Sequence, residues 1–138
     1  MSLLGKYGDK PTLVFRDGPL AAAACVDGEV AIIPENAGCS YRLVSLTHAQ
    51  GTASSSGTVK YRAISDTSAA DATAGATVKD LHTALSNAST AKTPVATTPT
   101  AGVLVSPGDR IVRDCGGTQT NLVDYIAVLV FEPAFETT

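Results

Sequence analysis

His48 and His82 are the two histidines of this chain, and a general base at neutral pH would be sought there first. A histidine base needs a nucleophile within hydrogen-bond reach and an acid to orient it. Ser, Thr and Asp are abundant enough to draw a trio on paper, yet no G-x-S-x-G elbow presents a serine. Both imidazoles therefore read as surface or half-buried side chains. Cys25, Cys39 and Cys115 are far apart, whereas zinc ligands usually come as closely spaced pairs. They read as three reduced thiols acting as small apolar residues. Gly116-Gly117 lacks the Lys-Ser or Lys-Thr of a phosphate loop and signals a turn instead. Glycoside hydrolysis needs two facing carboxylates, and sequence alone pairs none of the 13 acids. The sequon Asn87-Ala88-Ser89 follows no secretion signal and reads as chance. The expectation is a protein that is not an enzyme, with no catalytic residue, no metal and no cofactor.

Composition narrows the classes further. With 138 residues the chain is long enough for one domain with a real core. Charged residues make up 17%, below the usual ~25%, so part of the surface is expected to be hidden by partners. Net charge is −3 and the ten basic residues are scattered, which argues against nucleic acid and against anionic membrane. No segment approaches the ~20 apolar residues of a membrane helix, and the first residues do not read as a signal peptide.

Turn signals divide the chain into short strands. Residues 1–11 hold Gly5, Gly8 and Pro11 and read as an N-terminal arm, with Leu3, Leu4 and Tyr7 available for docking. A single domain follows over 12–138. Thr12–Arg16 is a short strand ended by Asp17-Gly18-Pro19. Asp27-Gly28 suggests a hairpin between 24–26 and 29–33. Residues 40–49 form a strand, 50–57 an exposed polar loop, and 58–65 the returning strand. In the latter, Val59, Tyr61 and Ala63 share one face and Lys60 and Arg62 the other, with Ile64 the exception. Val78, Leu81, Leu85 and Ala88 recur at steps of three and four, which predicts a short helix over 76–88 capped at Thr77. Residues 89–101 are extended, and 102–105 a strand. Pro107-Gly108 occupies the centre of a type II turn that leads into 110–113.

Leu122–Phe131 differs from the other strands. Tyr125, Ala127, Leu129 and Phe131 point one way, and Ile126, Val128 and Val130 the other. An antiparallel strand with a wet face alternates, so this one is expected to be covered on both sides. The cover is either another subunit, the preferred reading, or the helix at 76–88. About eight short strands with one helix make a mostly β antiparallel sandwich, of jelly-roll-like form.

Two enzyme families come near this outline and fall short. A cupin needs a His pair on one strand, and only a turn resembling Pro107-Gly108-Asp109 is present. The trimeric dUTP-hydrolysing enzymes have a motif similar to Ala37-Gly38-Cys39-Ser40-Tyr41, but Ser40 stands where their catalytic Asp belongs, and the Gly-rich C-terminal phosphate motif is absent. From Ala24 to Pro133 the order of features resembles small β-sandwich proteins of tailed-bacteriophage virions. These features are the Gly38–Val44 strand start, the Ser/Gly/Thr loop at 51–58, a short Ala-rich helical stretch before a Thr/Pro segment, and the Pro107–Ile111 turn. The chain resembles head decoration (cement) proteins most. That resemblance implies a virion structural protein, made in the host cytoplasm, that binds the major capsid protein on the outer surface of the head. It also implies a homotrimer. No site residues carry over. Ile126, Val128 and Val130 are then the expected packing interface, and Leu3, Leu4 and Tyr7 the capsid-docking arm. The other expectation is a receptor- or glycan-binding module of a fibre or spike, through the loops at 50–57 and 89–101.

Overall fold

The structure is a computed structural model that describes residues 3–7, 10–22, 27–73, 75, 77–88, 90–117 and 122–134. Ten strands carry the described chain: β1 (Leu3–Tyr7), β2 (Lys10–Ala22), β3 (Gly28–Ile32), β4 (Ser40–Ala49), β5 (Thr58–Ile64), β6 (Val78–Asp80), β7 (Leu85–Ser86), β8 (Val95–Thr97), β9 (Arg110–Gly116) and β10 (Leu122–Ala134). They form two antiparallel sheets. Sheet A has the order β1-β2-β10-β4-β8, and sheet B the order β3-β9-β5-β6 with β7 also on β5. The sheets enclose one main core, so the mostly β sandwich expected from the turn spacing is the fold.

Alternation decides which side chains enter that core. From sheet A come Leu13, Leu43, Leu46, Tyr125, Ala127, Leu129 and Phe131, and from sheet B Val30, Val59, Tyr61, Ala63 and Ile111, all buried. Ile64, the exception in its strand, has a reason to be apolar. It lies on the outer face of sheet B in a second, smaller cluster with Ala70, Val78 and Val112. Residues 65–73 fold back over that face to cover it.

Several expectations are corrected. No helix occurs among the described residues, and the helix expected over 76–88 is instead β6, a turn and β7. The free edge of β5 needs backbone partners, and β6 and β7 supply them at Arg62–Ile64 and Thr58–Val59. The steps of three and four arise because a kinked extended segment buries Val78 in one cluster and Leu81 and Leu85 in the other, while Ala88 is exposed. Asp80, three residues after the expected cap at Thr77, accepts from Arg62 Nε at 2.7 Å. The strand expected to stop at Asp17 continues to Ala22. Its pairing with β10 is irregular between Val123 and Tyr125, where Asp124 takes a φ of 53°. Gly18-Pro19 therefore lies in a bulge, where a strand tolerates proline. Residues 102–105 make a single bridge, Val105 to Tyr41, rather than a strand. β3 pairs with β9, and residues 24–26, the other arm of the expected hairpin, lie outside the described residues. The Pro107-Gly108 turn forms as expected, with Gly108 at φ 87° and Asp109 N–H donating to Ser106 O at 3.0 Å.

Residues 3–7 of the expected arm form β1, the edge strand of sheet A, in register from Leu3 opposite Val14 to Tyr7 opposite Lys10. The side chains of Leu3, Leu4 and Tyr7 lie outside the described residues.

The cysteines also depart from expectation. Cys39 is a free thiol, but Cys115 is disulfide-bonded. Wide sequence spacing says nothing about which strands lie side by side, so the bond was not legible. Thiol titration of the unfolded, unreduced protein is expected to find one thiol per chain, and three after reduction. Reduction is expected to lower stability by about 2–5 kcal/mol, read from urea unfolding with and without reductant.

Candidate interaction surface

The outer faces of the two sheets are unlike. On sheet B, Arg62 is almost fully buried and ties the covering segment down. Its Nη1 donates to Ala72 O at 2.6 Å and lies 3.2 Å from Asp114 Oδ2, while Nε holds Asp80. Lys60 adds a second contact to Asp80 at 3.3 Å. Burial pushes the Asp80 carboxyl up, but the hydrogen bonds from Arg62 and Lys60 outweigh it and hold the group below its ordinary range. Asp114 goes the other way. Burial raises it, with Asp27 and Asp71 adding to the rise against the pull of Arg62 and Lys60. Arg110 pins the same segment from the other side, donating to Asp66 O at 2.8 Å and Ser68 O at 2.6 Å, and pairs with Glu29. The chain thus seals this face with its own loop and its own charges.

Sheet A has no such seal among the described residues. Its outer face runs from Asp124 to the Arg42–Glu132 pair at 2.8 Å. Between those charges Ile126, Val128 and Val130 form a half-buried row on the central strand. Register places Ala49, Thr47 and Ser45 of β4 beside them on one flank, and Arg16, Val14 and Thr12 of β2 on the other. These three residues stand together on one face of β10, half-buried, with no covering element among the described residues. The helix that was the other candidate cover is absent from the described residues.

The two histidines are both buried beside the Tyr61–Tyr125 pair, which sequence reasoning missed. Both are 1% exposed rather than superficial. His48 Nδ1 is 3.1 Å from Tyr125 Oη, which is 2.9 Å from Tyr61 Oη. His82 Nε2 accepts the Tyr61 backbone N–H at 2.9 Å. The His48 and Tyr125 rings meet edge to face, and the Arg113 guanidinium sits 5.7 Å from the centre of the Tyr125 ring. Burial lowers the pKa of His48 to about 4, helped by His82 and opposed by the Ser86 backbone. Burial likewise lowers His82, against the pull of the Thr83 carbonyl. The polar positions of an otherwise period-2 strand were the one available signal. His48 follows Leu46 on the inward face, and Tyr61 follows Val59.

The loop expected to be fully exposed at 50–57 is anchored, with Gln50 and Ser54 buried and Thr52 bridged to Val123. Asn87 is wholly buried as well, so the folded chain offers no glycan acceptor there. A cleft of about 780 Å³ opens between the sheets, lined by Leu13, Val30, Ile33, Tyr41, Ile111 and Phe131, with Ile32 63% exposed among its walls. Its charged members, Glu29 and Arg110, are paired with each other.

Searches of family models, curated proteins and solved structures found no match for this chain.

Proposed function

We propose that this chain is a virion structural protein that binds the outer surface of a phage head and stabilises it, as a homotrimeric decoration protein. The observation that carries this reading is the contrast between the sheets. One outer face is closed by the chain's own loop and ion pairs, and the other presents Ile126, Val128 and Val130 in a neutral row with no covering element among the described residues. A contiguous apolar strip with a polar rim is the usual form of a protein-binding face. Covering it would contribute several kcal/mol at ~25 cal/mol per Å² of apolar area. Closed symmetry hides such a strip without open-ended growth. A disulfide at Cys115 is in keeping with a protein that works outside the reducing cytosol, the outer surface of a virion included. The buried setting of both imidazoles supports a role through surfaces rather than through a catalytic pair.

The partners in this reading are further copies of the chain and the major capsid protein. Light scattering of the purified protein is expected to give the mass of a trimer, and co-sedimentation with empty heads is expected to be saturable. A monomer that leaves heads in the supernatant overturns the reading. Glycan-array hits in place of head binding would move the protein to a fibre or spike.

A further inference from the structure

β5 has an incomplete partner along its free edge. β6 pairs with Arg62–Ile64 and β7 with Thr58–Val59, leaving a gap at Lys60 and Tyr61. Two hydrogen bonds fill it. Leu81 N–H donates to Tyr61 O at 3.2 Å, and Tyr61 N–H donates to the imidazole of His82 at 2.9 Å. A side chain thus serves as one rung of the sheet.

The geometry determines the protonation state of that side chain. Nε2 accepts a backbone N–H, so it carries no proton. Nδ1 lies 2.7 Å from Thr83 O, so it donates. Both ring nitrogens are committed only if the ring is neutral. A proton added to Nε2 would face the Tyr61 N–H, and the rung would break. At the far end of the same Tyr61 side chain, its hydroxyl meets Tyr125 Oη across the two sheets, and Tyr125 Oη meets His48.

We propose that the buried pair His48 and His82 makes the edge of β5 an acid-sensitive latch: a neutral His82 ring holds residues 81–88 there, and proton uptake by the two buried rings releases them. This goes beyond the binding role and does not rest on it. The groups around the latch favour the neutral rings. β10 contributes Tyr125, β5 contributes Tyr61 and Lys60, and β9 contributes Arg113, the last two cationic. β6 contributes Asp80, whose charge Arg62 and Lys60 already engage. β7 offers the Ser86 backbone, and β8 only Val95, opposite His48. Depressed histidine values mean that the unfolded chain binds more protons, so stability is whole above the ordinary histidine range and falls as pH drops through it.

With His48 at about 4 in the folded chain against 6.5 unfolded, the folding constant is expected to fall about 60-fold between pH 7 and 4.5 from this residue alone. Urea unfolding at the two pH values reads the fall, which His48→Gln is expected to reduce at least tenfold. Carboxylates titrate alike in both proteins and cancel. Hydrogen exchange, corrected for intrinsic rates, is expected to show residues 81–88 opening at pH 4.5 before β4 and β10. In His82→Gln, whose amide oxygen can accept from Tyr61 N–H without titrating, the segment stays protected. Equal pH dependence in wild type and His48→Gln, or loss of all protection together, overturns the latch. If a variant does not fold, imidazole ¹⁵N spectra of the wild type decide. The latch requires His82 to be neutral at pH 7 with the proton on Nδ1 and to titrate below the ordinary histidine range, and ordinary titration rules it out.

Discussion

Arg62→Ala is expected to lower the unfolding free energy by about 3–5 kcal/mol, because it strands buried partners of a buried cation. The side chain is 8% exposed and makes four kinds of contact: Asp80, Asp114, and the Ala70 and Ala72 carbonyls. Without it, those carbonyls lose their donor, and Asp114, already raised by burial, loses its nearest cation. The small cluster of Ile64, Ala70, Val78 and Val112 would then be uncovered. Urea unfolding reads the loss, and limited proteolysis should show new cuts within 65–73. Arg62→Lys keeps the charge but not the planar fork, and is expected to recover only part of the stability. A cost below about 1 kcal/mol for Arg62→Ala would mean that the segment is held by something else.

The second large effect concerns association rather than folding. Val128→Asp puts a charge at the centre of the sheet A row, where the cross-strand neighbours are Thr47 and Val14. A half-buried position on a sheet tolerates Asp at a cost of roughly 1 kcal/mol. The protein should therefore fold and melt within a few degrees of the wild type. At an interface the same carboxylate would be desolvated without a partner. Self-association is expected to weaken at least 100-fold, about 2.7 kcal/mol, as read by light scattering across a concentration series. Thr67→Asp, exposed on the other side of the sandwich, is the control and should leave association unchanged. Equal association of the two variants would place the contact elsewhere.

Legibility in the sequence followed the range of the interaction. Where one strand decides its own faces, period two was enough. Val59, Tyr61 and Ala63 turn inward, as do Tyr125, Ala127, Leu129 and Phe131. The Pro107-Gly108 turn is equally local. The segment over 76–88 misled because steps of three and four can come from a helix or from two short strands with a turn between them. Local spacing could not distinguish them, and the need of the β5 edge for partners did. Gly18-Pro19 misled for a related reason. A breaker ends an isolated strand, but a long partner such as β10 can carry pairing past it through a bulge. The disulfide at Cys115 and the burial of His48 and His82 beside the Tyr61–Tyr125 pair depend on which strands become neighbours, and nothing local encodes that order. Of the candidate surface, the row at Ile126, Val128 and Val130 could be read in advance. Its contrast with a sealed opposite face could not, since that depends on where residues 65–73 fold.

The place of β10 has a consequence for how the molecule is made. The last of the described strands in chain order is the middle strand of sheet A, inserted between β2 and β4. A nascent chain that has not yet emerged past Ala134 carries β2 and β4 as two bare edges with nothing between them. Such edges invite pairing with a neighbouring polysome-bound copy. Closure is then a late, non-local event of the kind that places β-rich domains in the millisecond-to-second range. Synthesis rate and chaperone supply, more than final stability, would set the yield of soluble product.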